Sequence, residues 1–97
     1  MPMYITLLNY TEQGAKDIKN ALQRVASARR AVEAAGGKIH AFYLTMGQYD
    51  AVTVIELPSD EAAATNALAV GAQGNVRTTT MRAFTEEEMA GIVSNLP

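Results

Sequence analysis

The chain has 97 residues, of which 48% are hydrophobic, and a formal net charge of −2 from eight basic and ten acidic side chains. This length predicts a single domain, residues 1–97. The balanced charge argues against nucleic acid or a membrane surface as a partner. There is no cysteine, which excludes disulfides, thiolate nucleophiles and cysteine-ligated metals. We see neither a signal-peptide pattern nor a membrane-spanning apolar run, so we expect a cytoplasmic protein.

The first half of the chain predicts strand, helix, strand and strand. Residues Met3–Asn9 are apolar on both faces, as in a strand covered from both sides. An aliphatic stripe with helical spacing then runs from Ala15 to Ala35 and ends at two glycines. Two β-prone runs, Lys38–Met46 and Ala51–Leu57, flank a short turn at residues 47–50 and predict a hairpin.

The second half predicts helix, strand and a short last helix. An alanine-rich helix is expected over about Glu61–Val70, after Pro58 ends the third strand because it has no N–H to donate. A threonine-rich strand follows over Val76–Phe84. Thr85 with Glu88 three residues later is a capping-box pattern, and it predicts the start of a C-terminal helix.

The predicted order β-α-β-β-α-β with a short C-terminal helix is that of the ferredoxin-like α+β fold. In this fold both long helices cover one face of the sheet and leave the other face open. The predicted strands have no consistently polar face, and an exposed apolar patch of that size is unusual on a monomer. We therefore predict a homodimer or higher homo-oligomer that assembles through the open face, with two sheets packed face to face, or through strand edges.

Nearly the whole chain resembles the GYD-domain family through four short motifs. These are Tyr10-Thr11 with Gly14 shortly after, Gly47-x-Tyr49-Asp50, Glu56-x-Pro58, and Gly74-Asn75-Val76-Arg77-Thr78. One departure is Gln48, which stands between the glycine and the tyrosine of the turn. The resemblance implies a ferredoxin-like protein of the dimeric α/β-barrel type, and it supplies no catalytic residue.

We expect the turn at residues 47–50 to lie at the same end of the sheet as the starts of the first and third strands. This placement would bring together Tyr4, Tyr49, Asp50 and Arg82. A carboxylate buried near a strand start can have its pKa raised and act as a base, so Asp50 with Tyr49 is the acid–base candidate. Alternatively, Asp50 only accepts backbone N–H bonds within its turn, and Tyr49 fills the dimer interface.

At the opposite end we expect the N-termini of both long helices, whose unpaired N–H groups could hold an anion. Thr11 would lie there, and Arg77 could clamp the anion in a bidentate manner. Alternatively, Glu56 and Asp60 already satisfy Arg77 and the helix starts. The other residues that we place at this end are Gly14, Lys38 and Asn75.

The only histidine, His40, lies on the side of Phe42 and Leu44 if its strand is regular. With no cysteine or second histidine nearby, it does not form a metal site by spacing, and we predict no metal. It is either a surface residue of an edge strand or a proton shuttle in an interface pocket. Tyr43 and Phe42 belong either to the ordinary core or to the lining of a ligand cavity.

Two functions from different classes are compatible with these residues. The first, favoured by the shortage of catalytic groups, is a non-catalytic oligomeric module that binds a small ligand. The second is a cofactor-independent enzyme of monooxygenase or isomerase type, which acts on a small apolar molecule through Tyr49 and Asp50 with Tyr43, His40 and Arg82 in support. Neither function needs a cofactor. A closed cavity that holds Asp50 favours the enzyme, and an Asp50 bonded only to backbone favours the module.

Overall fold

The computed structural model describes all 97 residues, Met1–Pro97. Its elements are β1 (Met3–Tyr10), α1 (Glu12–Lys16), a 3-10 helix (Ile18–Asn20), α2 (Ala21–Ala34), β2 (Lys38–Leu44), β3 (Ala51–Glu56), α3 (Asp60–Ala72), β4 (Val76–Ala83) and α4 (Glu86–Ser94). The predicted order of elements is confirmed, and the chain has a ferredoxin-like α+β fold. No helix combines the length and the apolar character needed to cross a membrane.

The first helical segment is divided, although the sequence predicts one continuous helix. α1 ends at Lys16, and a 3-10 helix separates it from α2. α1 is held close to the chain before β4, because Gly14 lies so near Asn75 that a β-carbon at position 14 would be 2.0 Å from the Asn75 carbonyl oxygen. The division lets α1 keep this contact while α2 runs along the sheet.

The four strands form one antiparallel sheet in the order β2-β3-β1-β4. β1 lies in the centre, between β3 and β4. In the register of the sheet, Thr6 of β1 stands opposite Thr53 of β3 and Thr80 of β4. The outer strands β2 and β4 leave two free edges, as expected for an open sheet of this topology.

The opposite directions of β1 and β3 correct the predicted placement of the site residues. The start of β1 lies beside the end of β3, with Met3 opposite Glu56. The helical crossover makes β1 and β2 parallel, and the hairpin then reverses the chain into β3. The N-termini of α2 and α3 consequently lie at opposite ends of the sheet, and the prediction that they share one end is wrong.

The helices α2 and α3 cover the sheet face to which Tyr4 and Ile55 belong. β3 shows this most clearly, because its residues are alternately buried and half-buried along its whole length. The buried apolar core between this face and the helices is small, and its members are Tyr4, Val32, Ile39, Ile55, Leu57 and Ala63. We call the other face, which neither α2 nor α3 covers, the open face.

Candidate functional site

Three of the four sequence motifs meet at one end of the sheet. The Asp50 carboxylate accepts a hydrogen bond of 2.9 Å from the backbone N–H of Tyr10. The Thr11 backbone N–H donates to the Asn75 carbonyl oxygen at 3.1 Å, and the Thr11 hydroxyl donates to the Gly74 carbonyl oxygen at 2.5 Å. These bonds join the hairpin turn, the start of α1 and the loop before β4 into one cluster, which we call the motif cluster.

The glycines of the motif cluster are explained by backbone geometry. Gly47 and Gly74 have φ angles of +114° and +81°, in the left-handed region that glycine occupies without a steric penalty. Gly14 has a different reason, namely its close approach to the Asn75 carbonyl oxygen. The spacing of these motif residues therefore follows from how the chain closes this end of the sheet.

Tyr4 lies at the opposite end from Asp50 and Tyr49, so the predicted group of four residues does not assemble. The ring of Tyr4 is 4% exposed, and its hydroxyl donates to the Asp60 carboxylate at 2.5 Å. Burial, together with the hydrogen bond to this carboxylate, raises the pKa of Tyr4 to about 12. The phenol of Tyr4 therefore serves as a neutral donor at the start of α3.

Arg82 connects Tyr4 to the start of α4. Its guanidinium carbon lies 4.4 Å from the centre of the Phe84 ring and 5.9 Å from that of Tyr4, within the range of cation–π attraction. The Arg82 guanidinium is also 3.6 Å from the Glu88 carboxylate.

The predicted capping box of Thr85 and Glu88 is confirmed. The backbone N–H of Thr85 bonded to the Glu88 carboxylate lowers the pKa of Glu88.

The residues predicted to surround an anion are divided between the two ends of the sheet. Arg77 stands opposite Asn9 at the end of the motif cluster. Glu56 and Asp60 belong to the other end, so they are not its partners, and that alternative is wrong for Arg77. The Thr11 hydroxyl accepts from the Gly14 N–H at 3.1 Å and caps α1. Of the remaining predicted members, Gly14 and Asn75 lie with Thr11, and Lys38 lies with Glu56.

His40 lies on the face opposite to the one predicted from a regular strand. The pairing of β2 with β3 shifts over residues 39–41, which is a β-bulge that re-aims the side chain. The Nε2 atom of His40 is 2.8 Å from the carboxylate of Glu56, which is on the open face. Tyr43 is on the open face as well, opposite Val52, and its side chain is 62% exposed.

The open face carries apolar side chains in its centre and polar ones at its ends. Across the four strands, one row consists of Ala41, Val54, Ile5 and Met81, and the next of Tyr43, Val52, Leu7 and Thr79. His40 with Glu56 flanks these rows at one end, and Asn9 with Arg77 flanks them at the other. An apolar centre with a polar rim is the usual composition of a protein–protein interface.

The C-terminal helix α4 adds a second apolar surface. It packs less closely against the sheet than α2 and α3 do. The radius of gyration is 14.6 Å, against about 12.5 Å expected for a compact domain of this length. Its apolar side chains Met89, Ile92 and Val93 are 48–59% exposed, and Leu96, just after the helix, is 68% exposed. In total, more large apolar side chains are exposed than are buried in the core, which is unusual for an isolated subunit.

A cavity between the sheet and the helices α2 and α3 contains none of the eight predicted site residues. Of the two residues predicted as a possible cavity lining, Phe42 lines this cavity and Tyr43 does not. Sequence reasoning missed the threonines at its floor, which are Thr6, Thr53, Thr78 and Thr80. One signal was available, because Thr78 and Thr80 stand at alternate positions of one strand, but it could be used only once the helix-facing side was known.

The fold and these surfaces define a ferredoxin-like α+β domain that presents an uncovered apolar sheet face. Comparison with known families is consistent with this class, because the GYD domain matches residues 4–93, and the chain belongs to the GYD domain family. The resemblance seen in the four motifs is thereby confirmed. A relative from Thermus thermophilus, named glutamine synthetase and cystathionine beta-lyase binding protein, is 30% identical over 85 residues, which are 87% of this chain and 90% of the relative.

Proposed function

We propose that this protein is a non-catalytic module that associates with itself through the open face and, as a homodimer, binds an enzyme. The observation that carries the proposal is the row of apolar side chains on the open face, which neither α2 nor α3 covers, and α4 exposes further apolar side chains separately. The name of the Thermus thermophilus relative, which describes a protein that binds two enzymes, adds the kind of partner. We accordingly assign enzymes of the glutamine synthetase or cystathionine β-lyase type as the partners of this chain.

The area of the surface supports a second copy as the occupant of the open face. Four strands about 4.8 Å apart, six to eight residues long at about 3.3 Å per residue, give a flat area of roughly 460 Å². The exposed side of α4, about 14 Å long and about 10 Å wide, is a separate surface of roughly 140 Å², because α4 contacts Arg82 on the helix-facing side of β4. A stable interface buries about 800 Å² of accessible surface per partner. Because side chains make the accessible area larger than the flat area, the open face alone provides a large part of the area that a stable dimer needs.

The enzymatic alternative has weaker support from the positions of its residues. The Asp50 carboxylate is bonded to a backbone N–H and does not line the helix-side cavity. Asp50 and His40 lie towards opposite ends of the sheet, about 15 Å apart by the rise of a strand over four to five residues, because His40 stands opposite Val54 and Ile55. A base and a proton shuttle separated by this distance do not act on one small molecule.

The proposal is tested by binding of the purified chain to the glutamine synthetase and the cystathionine β-lyase of its own organism. Each enzyme is titrated against the immobilised chain across the micromolar range, with an unrelated oligomeric enzyme as the control. We expect saturable binding of at least one of the two enzymes and none of the control. Failure of both enzymes to bind above the control would contradict the proposed partner class.

A further inference from the structure

The cavity between the sheet and the two long helices has a volume of about 170 Å³ and is lined mostly by apolar residues. Small side chains on the helices keep it open, since Ala28 of α2 and Ala67 of α3 both line it. A cavity of about 150 Å³ in a protein core is large enough to bind benzene. This cavity therefore has room for a molecule with the size of one aromatic ring.

The floor of the cavity contains a row of threonines, within a lining that is mostly apolar. Thr53, Thr6 and Thr80 are direct neighbours across three strands. The hydroxyls of Thr6 and Thr80 are 3.3 Å apart and can bond to each other. Thr53 is only 7% exposed, and its hydroxyl has no hydrogen-bond partner within the chain. A buried polar group without a partner costs free energy, so this hydroxyl needs one.

The charge of the lining restricts what the cavity can hold. Arg24 is the one charged residue that lines it, and the guanidinium is already paired with the Asp17 carboxylate at 2.9 Å. A charged ligand would have to enter an apolar space with no free counter-charge, which is unfavourable. A neutral molecule with a single polar group has no such cost.

We propose that this cavity is a binding site for a small, neutral, largely apolar molecule that carries one hydroxyl or carbonyl group. The apolar part contacts the helices and the strands, and the Thr53 hydroxyl, which has almost no accessible surface in this conformation, turns about the Cα–Cβ bond into another staggered rotamer to meet the polar group. The site is separate from the open face, which lies on the other side of the sheet. The proposal therefore does not depend on the proposed function and fails or stands by itself.

The test uses phenol and toluene as probes, because they have nearly the same shape and differ in the hydroxyl. Binding to the full-length chain is followed by nuclear magnetic resonance, with the signals of residues lining the cavity as the readout. We expect phenol to shift these signals and to bind more tightly than toluene. Thr53→Val, which keeps the shape of the side chain, should weaken phenol binding about 3- to 10-fold and leave toluene binding unchanged.

Two further variants make the result specific to the cavity. Thr79→Val removes a hydroxyl from the open face and should bind phenol as the wild type does. Ala67→Leu fills part of the cavity and should abolish binding of both probes. The proposal is overturned if phenol shifts no cavity signal, if Thr53→Val binds phenol as tightly as the wild type, or if Ala67→Leu retains binding. The melting temperature of each variant reports whether it is folded.

Discussion

The backbone N–H of Tyr10 and the carboxylate of Asp50 are joined by a hydrogen bond of 2.9 Å that fastens the hairpin turn to the end of the central strand. Asp50→Ala removes the acceptor and leaves this N–H unpaired, so we expect the free energy of unfolding to fall by about 1–2 kcal/mol. Urea denaturation measures this free energy of unfolding. Gln48→Ala, an exposed position in the same turn, is the control and should change stability by less than about 0.5 kcal/mol. Equal stabilities of the two variants would contradict the structural role of Asp50.

Gly14 and Gly71 are both helical glycines, but only Gly14 is crowded by backbone. A β-carbon at Gly14 would be 2.0 Å from the Asn75 carbonyl oxygen, whereas one at Gly71 would meet nothing within 4 Å. Gly14→Ala should therefore lower the free energy of unfolding by about 1–3 kcal/mol. Gly71→Ala should raise it by up to about 1 kcal/mol, because alanine favours a helix over glycine. Thermal denaturation of both variants measures these changes in stability. A Gly14→Ala variant as stable as Gly71→Ala would refute the close contact.

The raised pKa of Tyr4 gives the protein a specific sensitivity to alkali. Because the folded value of about 12 exceeds the ordinary value of about 10, the contribution of Tyr4 to stability is complete below pH 10 and is lost as the pH rises towards 12. In Tyr4→Phe, the free energy of unfolding should fall less steeply over this interval than in the wild type. Asp60→Asn should move the Tyr4 titration, followed by ultraviolet absorbance, back towards pH 10. An unchanged alkaline slope in Tyr4→Phe would be inconsistent with this assignment.

The lowered pKa of Glu88 has the opposite consequence, in acid. The Glu88 carboxylate contributes stability above its unfolded pKa of about 4.3, and this contribution is lost as the pH falls through the lower folded value. Amide hydrogen exchange of α4 should therefore accelerate below about pH 4 in the wild type, and this acceleration should be smaller in Glu88→Gln. Glu87→Gln, an exposed neighbour in the same helical turn, should behave as the wild type. Identical profiles for both variants would contradict the role of Glu88 in capping.

The element order, the capping box and the family were predictable because each depends on local pattern. Gly36 and Pro58 mark the ends of elements through their own backbone restrictions, and the Thr85–Glu88 spacing is a sequence signature in itself. The split of the first helix was not predictable from periodicity, because it depends on the distant contact of Gly14 with Asn75.

The candidate site was predicted less well, and the errors have physical causes. The prediction that Tyr4 and Asp50 share one end is wrong because the hairpin reverses the chain, so that β3 starts beside the end of β1 and ends beside its start. The predicted face of His40 is wrong because the β-bulge at residues 39–41 breaks the strand alternation, and a bulge leaves no clear trace in a single sequence. The helix-facing side of the sheet could not be identified, since β1 alternates Ile5 and Leu7 with Tyr4 and Leu8 and has apolar residues on both faces.

The measurement that tests the account most directly is the mass of the native protein in solution, by light scattering after size exclusion, together with that of two charge variants. We predict a wild-type dimer with twice the chain mass of 10.4 kDa. Val54→Lys, which places a charge in the centre of the open face, should have the mass of one chain. Thr65→Lys, which places the same charge on the exposed side of α3, should remain a dimer. A wild-type protein with the mass of a single chain at micromolar concentration would contradict the account.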